Sequence, residues 1–287
     1  MSDDSGSYVF NSDKYKSVEP GYWNFNLNRA ARGHGEDVVA HPDYFKKGGG
    51  HEDANGTSMT ERVSKFTPIT AQVSEVYMNQ APGAEMNRAF TVVGAWICDG
   101  WTSVSSRPSY TKCCDDSGAI DGKSCVVGHR DIIMQSCLQI GCGFAGIGSE
   151  VHKAGDTATA TCDCYNKATT KYSDKRIAAA SHVRDPGARD KYMYFATVKT
   201  SDTTIKSVKV IERTEDRVEA ITLKKAVQGP KGAVYMSDLY GFLTSCGSYY
   251  FEADNGTTTE RYPVTGYFYT YGMNCKNDWM EKDIATG

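Results

Sequence analysis

The stretch GHRDIIMQSCLQIGCGFAG, residues 128–146, decides how the first part of the chain is read. Its first half supplies a helical turn's worth of apolar side chains, Ile132, Ile133 and Met134. Its second half alternates: Leu138, Ile140, Cys142 and Phe144 recur at period two, the pattern of a half-buried strand. His129 stands at the mouth of this turn-to-strand unit, where an imidazole can be held rigidly and still reach a cleft.

The neighbouring segments supply what such a unit packs against. Downstream, TATATCDCY (157–165) alternates again and carries Cys162 and Cys164 on one face. An antiparallel neighbour bearing Cys142 puts a disulfide to Cys162 or to Cys164 within reach. Upstream, EMNRAFTVVGAWIC (85–98) reads as an apolar helix, with Asp99 continuing the edge that carries Trp96. A carboxylate at a helix C-terminus opposes the helix dipole, so a cation facing Asp99 is one expectation and a solvated loop aspartate the other. Residues 100–127 form a long insertion that Cys113, Cys114 and Cys125 staple. Its DDSGAID run lacks the terminal glutamate of a calcium loop.

Further back, WNFNLNRAARGHGEDVV, from Trp23, has Leu27, Ala30, Ala31, His34 and Val38 at helical spacing. His34 lies on that apolar stripe and reads as a hydrogen-bonded core histidine. After Pro42 come Tyr44-Phe45 and His51-Glu52-Asp53. Ser58 and Glu61 then form a capping box that starts a short helix bearing Met59 and Val63. Residues 69–84, which contain Glu75, read as loop.

Beyond the polar, basic stretch 169–190, read as a linker, the pattern changes. Runs such as YMYFATVKT, TIKSVKVIER, RVEAITLKK, AVYMSDLYGFL, SYYFEAD, TTERYPV and GYFYTYGM are rich in Val, Ile, Tyr, Phe and Thr. Short strands at this spacing predict a β-sandwich. Cys246 and Cys275 are expected to close one bridge within it. The expected organisation is an N-terminal extension (1–21), an α+β domain (22–168), a linker (169–190) and an all-β domain (191–287).

Composition narrows the function. The chain has 287 residues and a net charge of −3, which points to neither a nucleic-acid nor a membrane-surface partner. No apolar run approaches the roughly 20 residues of a membrane span. Ten cysteines without Cys-x-x-Cys spacing favour disulfides over a zinc cluster. Cys98 and Cys137 belong to this set, with pairings left open. Asn55 and Asn255 each open an Asn-Gly-Thr acceptor for N-glycosylation. Both features point outside the cell. The first residues lack an apolar signal core, so a signal is expected to have been removed or to lie upstream.

In order and chemistry, WNFNLNRAARGHGEDVV, the YF and HEDANGTSMTERV segments, AFTVVGAWICD, GHRDIIM and IGCGFA resemble the CAP superfamily. This is the family of cysteine-rich secretory proteins, antigen five and the group-one pathogenesis-related proteins, and the likeness is to its short SCP-like branch. The resemblance covers residues 22 to about 166. It implies an α-β-α sandwich, here followed by an all-β sandwich of immunoglobulin-like type. It also implies a cleft tetrad that can hold a divalent metal, zinc being the fit for neutral imidazoles and carboxylates. By position the tetrad is His51, Glu75, Asp99 and His129. The family's Gly-Glu-Asn is Ser74-Glu75-Val76 here, and the second acid is Asp99 rather than Glu.

Three functions follow as expectations. One is a secreted, non-catalytic glycoprotein that binds an extracellular protein, glycan or matrix component, or sister copies of itself, in a surface assembly. The second is a zinc-dependent hydrolase using the cleft, with Glu75 as base. The third is a lipid or sterol carrier, for which the 100–127 loop is the one place to look.

Overall fold

A computed structural model describes residues 2–3, 6–7, 13–16, 18–46, 50–80, 89–98, 113–115, 119–120, 123–124, 128–145, 158–166, 175–184, 191–199, 205–214, 217–241 and 247–270. The chain is mixed α and β and divides into two compact units. One comprises Met1–Val18 and Trp23–Thr169, the other Glu19–Tyr22 and Thr170–Gly287.

The first unit opens with a two-stranded pair, β1 (Ser2–Asp3) and β2 (Gly6–Ser7), followed by β3 (Tyr22–Trp23). Helix α1 (Phe25–Ala40) begins where Asn24 caps it, its Oδ1 accepting from the backbone N–H groups of Asn26 and Leu27. All five residues of the expected stripe, Leu27, Ala30, Ala31, His34 and Val38, are buried. Short helices α2 (Pro42–Lys46) and α3 (Met59–Ser64) follow. The Ser58–Glu61 capping box is formed in both directions. Next come β4 (Val73–Gln80), α4 (Ala89–Cys98), the two-residue pair β5 (Ala119–Ile120) and β6 (Lys123–Ser124), and α5 (Gly128–Asp131). A π-helix (Ile132–Ser136) runs on into β7 (Gln139–Ala145), and β8 (Ala158–Tyr165) completes the unit.

One four-stranded sheet, in the order β3-β7-β8-β4, organises this unit. Its two faces differ in chemistry. Ile140, Cys142, Ala160, Cys162 and Val76 form an apolar face that packs against Val92 and Trp96 of α4 and Ile132 and Ile133 of the π-helix. The opposite face lies under α1. There Gly141 and Gly143 let the helix backbone come close: a Cβ on Gly141 would sit 2.0 Å from Asn28 N, and one on Gly143 would sit 2.3 Å from Arg32 Cα. Strand β7 is therefore covered on both faces, where its alternation alone predicts one. Residues 73–80, read as loop, are a full strand paired with β8 from Val73↔Tyr165 to Gln80↔Ala158. Glu75 facing inward breaks the apolar alternation that would have marked it.

Three disulfides pin the sheet and α4. Cys142–Cys162 joins residues directly opposite each other in the β7–β8 ladder. Cys137–Cys164 ties the segment just before β7 to β8, and Cys98–Cys113 ties down the end of α4. The open choice for Cys142 thus resolves to Cys162. Cys114 is also disulfide-bonded. Cys125, Cys246 and Cys275 lie outside the described residues, so the expected Cys246–Cys275 bridge does too.

The second unit is all β. Its strands are β9 (Ile177–Arg184), β10 (Lys191–Lys199), β11 (Ser207–Thr214), β12 (Val218–Thr222), β13 (Lys224–Gln228), β14 (Gly232–Met236), β15 (Tyr240–Gly241), β16 (Gly247–Asp254), β17 (Thr259–Tyr262) and β18 (Phe268–Thr270). One sheet runs β13-β14-β10, with β9 and β15 also paired to β10. The other runs β12-β11-β16-β17, with β18 also paired to β16. Their inner faces share one core, in which Tyr192, Tyr194, Ala196 and Val198 meet Val208, Val210, Tyr249 and Phe251. The run RVEAITLKK crosses between sheets: its first part is β12 of one, and its last two lysines open β13 of the other. The stretch read as linker contains β9, which pairs along β10 from Arg184↔Tyr192 to Ile177↔Val198 with one bulge. Its Ala-Ala-Ala and flanking basic residues conceal a strand.

Candidate functional site

Two polar side chains fully buried between α1 and the sheet, His34 and Glu75, centre a cluster of ionisable groups. His34 Nδ1 lies 2.8 Å from Asp53 Oδ1. A carboxylate can only accept, so Nδ1 carries the hydrogen. The ring packs edge-on against Phe45 and Tyr77. His34 is thus the buried, hydrogen-bonded histidine its place on the stripe predicts.

Arg62 comes from α3, beside the core residue Val63, and is only 3 % exposed. Its Nη1 donates to Asp53 Oδ1 at 2.5 Å and its Nη2 donates to Glu75 Oε2. One guanidinium therefore bridges two carboxylates. His51 Nδ1 donates to the other oxygen of Glu75, Oε1, at 2.7 Å. The His51 side chain remains 53 % exposed, while that of Glu75 is fully buried. Burial alone would raise the Glu75 pKa. The His51 hydrogen bond, then the charge of Arg62, override it and hold the carboxyl below its usual range.

Asp163 faces Glu75 directly across the β4–β8 ladder and is fully buried. Among the described residues, no N–H or O–H group donates to it. Burial first, then the neighbouring Glu75 charge, push its carboxyl well above the usual range.

Of the four residues assigned to the metal tetrad, the structure brings His51 and Glu75 into contact. Asp99 lies outside the described residues. His129 sits half-buried in α5, whose neighbours are α4 and the π-helix. Among the described residues, no three His, Cys, Asp or Glu side chains are grouped to hold a metal ion. The donor chemistry does not fit a resident zinc either. Both Glu75 oxygens are engaged, and Arg62 places a fixed positive charge where a cation would be drawn.

Sequence reasoning missed Asp53, Arg62 and Asp163. A period-two reading offers a signal for Asp163: Thr159, Thr161 and Asp163 share the face opposite Cys162 and Cys164. All three are fully buried, so this face of a central strand is polar. Arg62 sits one residue before the apolar Val63 and gives no such signal. Both acceptor asparagines occupy exposed turns followed by a glycine with positive φ, Gly56 at 83° and Gly256 at 87°. Asn55 Oδ1 accepts from Thr57 N, and Asn255 Oδ1 accepts from Thr257 N and Thr258 N. The 100–127 loop, the place to look for a lipid cavity, lies largely outside the described residues.

No helix among the described residues is long and apolar enough to cross a membrane. No family model matches the chain, and no curated protein matches it.

Proposed function

We propose that this chain is a secreted, non-catalytic protein of the CAP type, carrying an immunoglobulin-like β-sandwich. In this reading it works as an extracellular binding or surface-assembly component, glycosylated at Asn55 and Asn255. The observation that carries the reading is the clamp on Glu75. A carboxylate held on one oxygen by a buried arginine and on the other by His51 is a poor general base and a poor metal ligand. It is instead a rigid strut between α3, β4 and the His51 loop.

Other features support the same reading. The sheet lies between α1 on one face and α4 with the π-helix on the other, the layer order expected of the CAP fold. No described cysteine is free, which suits an oxidising compartment and leaves none of them as a nucleophile. The partner is an extracellular protein, glycan or matrix component, or further copies of the chain.

The test is to isolate the native protein without denaturant and determine what accompanies it by cross-linking and mass spectrometry, with a glycan and cell-surface binding screen in parallel. A reproducible extracellular partner is expected. A strictly monomeric protein that binds nothing in the screen, and that hydrolyses an ester or peptide only with added zinc, would overturn the reading.

A further inference from the structure

On the α1 side of the sheet, His34 Nε2 and Thr161 Oγ1 are buried without a hydrogen-bond partner among the described residues, and both residues are 0 % exposed. Both belong to one neighbourhood. His34 packs on Tyr77, and its Nε2 lies 4.0 Å from Glu75 Oε1. Thr161 lies on the same face of β8, directly opposite Tyr77, and Asp163 is directly opposite Glu75. Buried polar atoms are rarely left without partners, and a group of them commonly marks an internal solvent molecule.

The separation fits such a molecule. His34 Nδ1–H donates to Asp53, which leaves Nε2 facing Glu75 Oε1. At 4.0 Å the two atoms are too distant for a direct hydrogen bond. A single water bonded to both spans that separation. Hydrogen bonds of about 2.8 Å from one water reach acceptors roughly 4–4.5 Å apart. The Arg62 guanidinium on the same carboxylate argues against a cation as the guest.

We propose that this seam holds one internal water, hydrogen-bonded to His34 Nε2, Glu75 Oε1 and the Thr161 hydroxyl. Arg62 already joins the His34–Asp53 pair to the Glu75–His51 pair through the carboxylates; the water adds a direct link from the His34 ring to Glu75, so a change at His34 is transmitted to the half-exposed His51 imidazole. None of this depends on the family reading.

A crystal structure of the full chain at near-atomic resolution, with oxygen-17 relaxation dispersion in solution, tests it. The expected result is a solvent peak about 2.6–3.2 Å from Nε2, Oε1 and Oγ1, and one long-lived water in solution. Thr161→Val keeps the shape of the strand and removes one of the three partners of the water, so the long-lived signal should fall by that one molecule. An empty void, closure of Nε2 onto Oε1 to a direct hydrogen bond, or an anomalous-scattering peak from a metal would overturn the proposal. So would an unchanged water signal in Thr161→Val.

Discussion

Replacing Arg62 by leucine tests the buried cluster most sharply. The guanidinium bridges Asp53 and Glu75, whose side chains are 13 % and 0 % exposed. Leucine would leave both carboxylates with much of their charge uncompensated in a site that water barely reaches. Removing one partner of a buried ion pair costs about 3–5 kcal/mol. His34 and His51 can take up part of the load, so the lower half of that range is the expectation. Against a typical domain stability of about 5–15 kcal/mol the loss is large. Arg62→Lys keeps the charge but cannot bridge both acids, and should cost about 1–2 kcal/mol less than leucine does. Urea unfolding followed by hydrogen exchange in α1 and β8 peptides reads the first unit separately from the second. Adding Glu75→Gln to Arg62→Leu should recover part of the loss, because it removes one stranded charge. A cost below about 1 kcal/mol for Arg62→Leu, with no recovery in the double variant, would refute the reasoning: the carboxylates would then have to be solvated.

Other expectations concern packing, cross-links and pH. Gly141→Ala should destabilise the first unit by more than about 3 kcal/mol, because its Cβ would meet the α1 backbone, which cannot move aside; thermal unfolding measures this. Removing Cys142–Cys162 with paired serines opens a link spanning 20 residues and should cost about 3 kcal/mol in chemical denaturation. For Glu75 the folded pKa is below its ordinary 4.5, so its contribution is complete above that value and is lost as pH falls through the folded pKa. Glu75→Gln should flatten that acid limb. Burial lowers the pKa of His182 below its ordinary 6.5, so the unfolded chain takes up the proton first and the second unit loses stability as pH falls from about 6.5. In His182→Phe, exchange in β9 and β10 peptides should no longer respond to pH in that window.

What was legible in the sequence was what burial in an apolar setting writes into it. The α1 stripe, the capping box at Ser58 and the alternation of β7 and β8 all follow simple periods, and all are present. Polar burial was not legible. Strand β4 carries Glu75 and Ser74 where a period-two reading expects a clean switch, and β9 is an alanine run among basic residues. The site shows the same division. His51 and Glu75, which the resemblance points to, do meet, while Arg62 and Asp53 depend on tertiary pairing that no local pattern encodes.

The most direct measurement is native mass spectrometry of the protein from its source. The account predicts oxidised cysteines, added sugar mass that disappears in Thr57→Ala and Thr257→Ala, and no stoichiometric zinc, with the protein released from a larger extracellular assembly. A sugar-free monomer carrying one zinc per chain, and turning over a substrate in that state, would contradict it.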